Sequence, residues 1–142
     1  MYKDILLAVN IDKKSSWRKA LPTAVDLCRS SGGRLHVLTV IPDFGMSIVG
    51  QYFPEGFEAE SAEKAMEALK AFVKENVPEG IEVSHVVGRG RVYDEILTAA
   101  RETKCDVIVM ASPRPALRDH VLGPTAAYVV RHANCSVWVV RE

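Results

Sequence analysis

The sequence predicts one α/β domain over residues 1–142, an open, mostly parallel five-stranded sheet with helices on both faces. Three observations predict it. Five short apolar runs rich in Val and Ile recur along the chain and seldom alternate with polar residues, the pattern of strands covered on both sides. Segments of helical period lie between them. The resulting order, β-α-β-loop-α-β-α-β-α-β, is one unbroken alternation, which implies right-handed crossovers and a layered sheet. A length of 142 residues suits a single domain that buries roughly 70% of its unfolded surface, and no linker, internal repeat or low-complexity stretch divides it.

The first strand is read over residues 5–9, Ile5-Leu6-Leu7-Ala8-Val9. A helix is expected from Ser16 to about Ser31, with Ala20, Leu21, Ala24, Val25 and Cys28 inward and Gly32-Gly33 as its stop. Pro22 fits that helix only in a distorted first turn, because an interior proline loses a hydrogen bond. The second strand covers residues 35–41. The connection over 42–58 carries three glycines, two prolines and four aromatic residues, and reads either as a flexible flap or as a loop packed down by Phe44, Tyr52 and Phe53. The next helix follows from Ala62, Ala65, Met66, Leu69, Phe72 and Val73 at i, i+3, i+4, i+7 spacing, with Glu63, Lys64, Glu67, Lys70 and Lys74 opposite; Pro78 and Gly80 end it. A third strand over 81–87 precedes a helix marked by Ile96, Leu97, Ala99 and Ala100. Residues 107–111 form the fourth strand, Ala126, Ala127, Val129 and Val130 the last helix, and residues 137–140 the last strand.

Composition removes several function classes. Eighteen basic residues balance eighteen acidic ones, so no global positive field draws the chain to nucleic acid or anionic lipid. No stretch reaches the roughly 18 apolar residues of a membrane helix, and the start opens directly into a strand, so the expected address is the cytoplasm. Cys28, Cys105 and Cys135 are odd in number without C-x-x-C spacing, which suggests neither a disulfide framework nor zinc. Cys105 and Cys135 are expected to be buried and inert. His36 and His85 fall in strands, where they are expected to be satisfied, and His132 falls near a helix C-terminus, where a partly positive ring suits the dipole. No metal-ligand cluster and no G-x-S-x-G elbow is present, and Ser112 lacks an evident base.

In such sheets ligands bind beyond the carboxyl ends of the strands, which directs attention to the residues after Val9, Val40, Val87 and Ala111. The segment Ala111-Ser112-Pro113-Arg114-Pro115, followed by Leu122-Gly123-Pro124-Thr125 at a helix start, has the makings of an anion site. A helix's first turn offers unpaired N–H groups and the positive dipole end, Arg114 a forked donor, Thr125 a hydroxyl. His120, in the intervening loop, would face a phosphate there. The same residues also suit a plain turn in which Gly123 reverses the chain and Pro124 starts the helix. Gly88-Arg89-Gly90-Arg91 reads as a tight turn with solvated arginines, or as a second phosphate contact short of a G-x-G-x-x-G pattern. Ser30-Ser31-Gly32-Gly33 is similar to a pyrophosphatase loop but ends a helix instead of opening one.

The residues Met110-Ala111-Ser112-Pro113-Arg114-Pro115, Leu122-Gly123 and Val129-Val130-Arg131-His132-Ala133-Asn134-Cys135-Ser136-Val137 resemble the tail of the universal stress proteins, in an enterobacterial-type subgroup of the ATP-binding branch. Residues 5–10, Leu38-Thr39-Val40-Ile41-Pro42 and Gly90 with Asp94-Glu95-Ile96-Leu97 extend the resemblance over the full length. It implies a Rossmann-like fold of the adenine-nucleotide α-hydrolase kind. It implies also that Ala8, Val9 and Asn10 stand at the strand end that holds the adenosine, that Val40 meets the adenine edge, that Met110 and Ala111 line the ribose side, and that Ser112 belongs to the nucleotide site. Arg114 would stand at the second glycine of the family pattern, and Gly123, Pro124 and Thr125 at the phosphate turn. The implied ligand is ATP, with ADP or AMP as alternatives and Mg2+ carried only on the phosphates. The implied assembly is a homodimer, or a higher oligomer, through the last strand, with Trp138 at the seam; the other reading packs Trp138 on its own core.

Two departures from the family pattern bear on affinity. Asn10 stands where an aspartate is usual and carries no charge, and Pro124 stands where a serine is usual, removing a hydroxyl and a backbone N–H. The expected function is therefore adenine-nucleotide binding, weakened at the phosphates, in a stress-response regulatory role without efficient turnover. At most slow ATP hydrolysis or self-phosphorylation is expected, since no general base is evident. The alternative is a nucleotide-independent dimeric interaction module with a decayed phosphate site and a protein partner that the sequence does not name. An enzyme of the wider α-hydrolase group is disfavoured, because the sequence holds no HIGH-type motif.

Overall fold

The five apolar runs form strands and the periodic segments form helices, as burial demands. The computed structural model describes residues 2–42, 57–112 and 122–141. Its elements are β1 (Asp4–Val9), a short 3-10 turn (Lys14–Ser16), α1 (Ala20–Ser31), β2 (Arg34–Pro42), α2 (Phe57–Asn76), β3 (Val83–Gly90), α3 (Val92–Glu102), β4 (Val107–Ser112), α4 (Pro124–His132) and β5 (Ser136–Arg141). The sheet order is β3-β2-β1-β4-β5, and every pairing is parallel.

Alternation of side chains about the sheet divides the core in two. Ile5, Leu7, Val9, Leu35, Val37, Val107 and Val109 point to one face, where Ala20, Leu21, Ala24, Val25 and Cys28 of α1 and Leu69, Phe72 and Val73 of α2 cover them. Leu6, Leu38, Ile108 and Met110 point to the other, beneath Ile96 and Ala99 of α3 and Ala126 and Val129 of α4. Central β1 and β4 are therefore buried on both sides, which is why their sequences are continuously apolar: Ile5, Leu6, Leu7, Ile108 and Val109 are each 0% exposed.

Several boundaries differ from the sequence expectation. Helix α1 starts at Ala20, after the 3-10 turn and Trp17, whose ring meets Phe72 edge-on at 5.0 Å. Pro22 falls in the first turn of α1, where its missing N–H removes no bond within the helix. Gly32 closes α1 in the left-handed conformation at φ 68.

The larger correction concerns Gly88-Arg89-Gly90, which is strand and not turn. The Arg89 N–H donates to Glu95 Oε1 at 2.7 Å. A Cβ on Gly88 would lie 3.1 Å from the Glu95 Cβ. The glycine thus lets α3 set its first-turn carboxylate against the backbone of β3. That carboxylate takes the Arg89 N–H, so this amide is not free for an anion.

His36 is 5% exposed, with Nε2 2.8 Å from Asp4 Oδ1 and Nδ1 without a partner, so only one of its nitrogens is satisfied. The three cysteines are free; Cys28 and Cys105 are buried, whereas Cys135, expected to be buried, is half-buried. β5 lies at the sheet edge as the family resemblance implies, and Trp138 on it is 46% exposed. Among the described residues no helix is long and apolar enough to cross a membrane.

Candidate functional site

Strand β1 sits at the centre of the sheet; the chain winds from it to β2 and β3 on one side, then crosses to β4 and β5 on the other. At that switch point neighbouring connections diverge to opposite faces and leave a crevice at the carboxyl ends of β1 and β4. A cleft of about 640 Å³ lies there. Its floor is Ala8, Val9 and Asn10 of β1 and the residue after it, with Met110 and Ala111 of β4 and Leu38 to Ile41 of β2. Helix α2 adds Ser61 and Ala65 on one side, and α3 and α4 add Val92, Ile96 and Thr125 on the other. The volume is in the range of small-molecule and cofactor sites.

The cleft thus brings together Ala8, Val9, Asn10, Val40, Met110, Ala111 and Thr125 from the residues the sequence pointed to. Ser112, Gly123 and Pro124 lie beside it and do not line it. Arg114 lies outside the described residues, as do His120 and nearly all of the 42–58 connection.

The polar groups near the cleft are already partly engaged. The Gly123 N–H donates to the Ser112 Oγ at 3.0 Å, tying the end of β4 to the start of α4. Ser112 is 2% exposed, so this hydroxyl serves the fold first and is not presented to a ligand as the sequence reading implied. Gly123 is the N-cap of α4 and Pro124 its first residue, with no side-chain cap. The Ala127 N–H bonds to the Gly123 carbonyl, so helix geometry leaves the N–H groups of Thr125 and Ala126 without intrahelical acceptors. Those two amides, the positive dipole end and the Thr125 hydroxyl form an anion-attracting corner.

At the opposite rim the loop after β1 is self-bonded. The Asn10 N–H donates to Ser16 Oγ at 2.8 Å, and that hydroxyl returns to the Asn10 and Lys13 carbonyls at 2.9 and 2.8 Å. The Asp12 N–H donates to Asn10 Oδ1 at 3.2 Å, an Asx turn that leaves the Asn10 amide group as a donor. Asp12 and Lys13 stand on this rim, one carboxylate and one ammonium that the sequence reading passed over. Thr39, 8% exposed on the cleft wall, was also missed. A signal for it existed, since it is a hydroxyl near the carboxyl end of a mostly apolar strand. Ser61 and Val92 carried no such signal, because helix periodicity says nothing of which helix end faces a crevice. Among the described residues no group of three or more metal-ligating side chains occurs.

The model of the universal stress protein family matches residues 1–141. Universal stress protein G of Escherichia coli O157:H7 is 32% identical over 143 residues, covering 99% of this chain and 100% of the relative. Among solved structures, universal stress protein UspA from Lactobacillus plantarum is 25% identical with a TM-score of 0.72, covering 99% of this chain and 98% of that one. The universal stress protein from Archaeoglobus fulgidus, solved in complex with dAMP, is 23% identical with a TM-score of 0.60, covering 97% of each chain.

Proposed function

The chain belongs to the universal stress protein family, and on that premise we propose that it binds an adenine nucleotide, ATP in the first place and ADP or AMP as alternatives, in a stress-response regulatory role. The observation that carries the reading is the cleft at the switch point, where seven separately named residues from β1, β2, β4 and α4 share one wall. The dAMP held by the Archaeoglobus relative supports the ligand class.

The residues fit such a ligand unevenly. Leu38, Val40, Ile96, Met110 and Ala111 supply apolar walls for a purine, and the Asn10 amide and Asp12 carboxylate face a ribose with one donor and one acceptor. The phosphate end is thinner. Pro124 has no N–H and the Gly123 N–H is engaged by Ser112, so Thr125 and Ala126 carry the backbone contribution among the described residues. Mg2+ would ride on the phosphates alone. Among the described residues Asp12 is the one carboxylate on the cleft, and it faces the ribose side, so the chemistry read here is binding and not efficient turnover.

The same reading seats a two-fold dimer on the outer edge of β5, where Trp138 is 46% exposed and one row of backbone groups has no neighbouring strand among the described residues. Light scattering at micromolar concentration then gives a dimer mass, and a monomer mass overturns the seam. A thermal unfolding scan with millimolar ATP, ADP, AMP and adenosine tests the binding. Ligand at about 100 times its dissociation constant adds roughly 2.7 kcal/mol, a shift of several degrees. No shift with any of them would overturn the nucleotide reading in favour of an interaction module.

A further inference from the structure

At the end of the sheet opposite the cleft, Cys105 and Cys135 approach each other with sulfur atoms 3.9 Å apart, although 30 residues separate them in sequence. Both stand just before adjacent parallel strands, Cys105 ahead of β4 and Cys135 ahead of β5, so the Val107–Ser136 register brings the two thiols side by side. Lys104 holds a left-handed φ of 54, the one non-glycine residue with positive φ among those described. That reversal, fastened by the Cys105 N–H donating to the Ala100 carbonyl at 3.1 Å, turns Cys105 inward.

The pair borders a hollow of about 140 Å³ lined also by Arg101, Lys104, His132 and Asn134. The hollow is large enough for a molecule of a few atoms, and two permanent cations stand at its wall. Cys105 is 8% exposed, while Cys135 is half-buried and within reach of solvent. Burial first, then the neighbouring Cys135 thiol, pushes Cys105 up to about 12, so Cys105 waits as a protonated thiol.

We infer that Cys105 and Cys135 are a built redox pair, closed to an intramolecular disulfide by a small peroxide that enters this hollow. The Cys135 thiolate attacks one peroxide oxygen. An S–O bond forms, the O–O bond breaks, and the departing oxygen takes a proton and leaves as water. The Cys105 sulfur then attacks the Cys135 sulfur, the S–S bond forms, and the S–O bond breaks. The hydroxide that leaves takes up the Cys105 proton as a second water. Two thiols lose two electrons in all, and one hydrogen peroxide becomes two waters. Closing the sulfurs from 3.9 Å to about 2.05 Å asks for side-chain rotation of both cysteines. Cys28, on the buried face of α1 in the other core layer, lies outside the pair.

The test treats the full chain with one to a few equivalents of hydrogen peroxide and reads its intact mass and its non-reduced peptide map. The expected result is a loss of about 2 Da, the two thiol hydrogens, with a linked Cys105–Cys135 peptide that dithiothreitol releases. Cys28→Ser closes as readily as the parent chain. Cys135→Ser forms no internal cross-link, and its Cys105 stays reduced at peroxide levels that close the parent. Stepwise gains of about 16 Da on Cys135 without a cross-link would overturn the inference, as would a disulfide between chains or no reaction. The variants leave every cleft residue in place, and the parent-chain mass alone decides the matter if a variant fails to fold.

Discussion

Replacing Pro124 by serine puts the nucleotide reading under direct strain. Pro124 is exposed at the first position of α4, so a serine fits there without displacing anything. The change restores one backbone N–H and one hydroxyl beside the Thr125 and Ala126 amides, where the Gly123 N–H is already held by Ser112 at 3.0 Å. One added hydrogen bond to a charged phosphate is worth about 1.5–3 kcal/mol, or roughly ten- to 150-fold in affinity. Against this, the folded protein loses the preset backbone of proline, about 0.4–1 kcal/mol or a fall of about 1–4 °C in Tm. Isothermal titration of both proteins with ATP, AMP and adenosine separates the two effects. ATP is expected to tighten most, AMP to follow if its phosphate reaches the same corner, and adenosine to stay unchanged. An unchanged ATP affinity would refute the argument, because the phosphates then lie elsewhere. Equal tightening of adenosine would refute it too, since the effect would come from the fold and not from the anion corner.

Ser112→Ala removes the acceptor from the Gly123 N–H; stability falls by about 1 kcal/mol, and ATP tightens relative to adenosine as that amide is released. A loss of ATP affinity instead would mean that the hydroxyl itself meets the ligand, and titration decides the sign. Gly33→Ala would set a Cβ 2.7 Å from the Tyr2 carbonyl oxygen and 3.1 Å from that of Lys3, so β1 must shift from β2, a cost of about 1–3 kcal/mol in urea unfolding. Gly32→Ala meets nothing within 4 Å and pays only for φ +68, about 1–2 kcal/mol. Equal effects on retaining the native sheet register, read by amide exchange at β1, would remove that distinction. Asp106 is held below the ordinary aspartate value of 3.8, first by the Asp4 N–H and then by the Lys3 N–H. A lowered carboxylate contributes fully above its unfolded value and fades as pH falls below it. Asp106→Asn is therefore expected to flatten the stability loss below about pH 4, and an unchanged acid profile would show the carboxylate to be idle.

What the sequence could and could not disclose follows from the range of the forces concerned. The two central strands were legible because burial on both faces demands continuous apolar runs, and α2 because its stripe from Leu69 to Val73 repeats with the helix turn. The stop at Gly32 was legible because only the left-handed conformation closes that turn cheaply. Each is a consequence of neighbours within about four residues, which a linear reading holds. The carboxyl end of β3 was not legible. Gly88 and Gly90 signal a turn locally, and only their pairing with Val40 and Pro42 of β2 makes them strand. The cleft was legible as a place, at strand ends around a switch point, and in the Ala8–Asn10 and Met110–Ala111 segments that the family resemblance supplied. Its working inventory of donors was not. The Ser112 hold on Gly123 spans 11 residues, and the Cys105–Cys135 approach spans 30. Pairs of that separation meet only after the parallel crossovers have set one strand beside another. Local propensity and hydrophobic period thus determined the elements and their layering by themselves. The tertiary structure alone decided which amides remain available to an anion and which thiols touch, because a hydrogen bond or a sulfur contact depends on ångström positions that residue order does not encode.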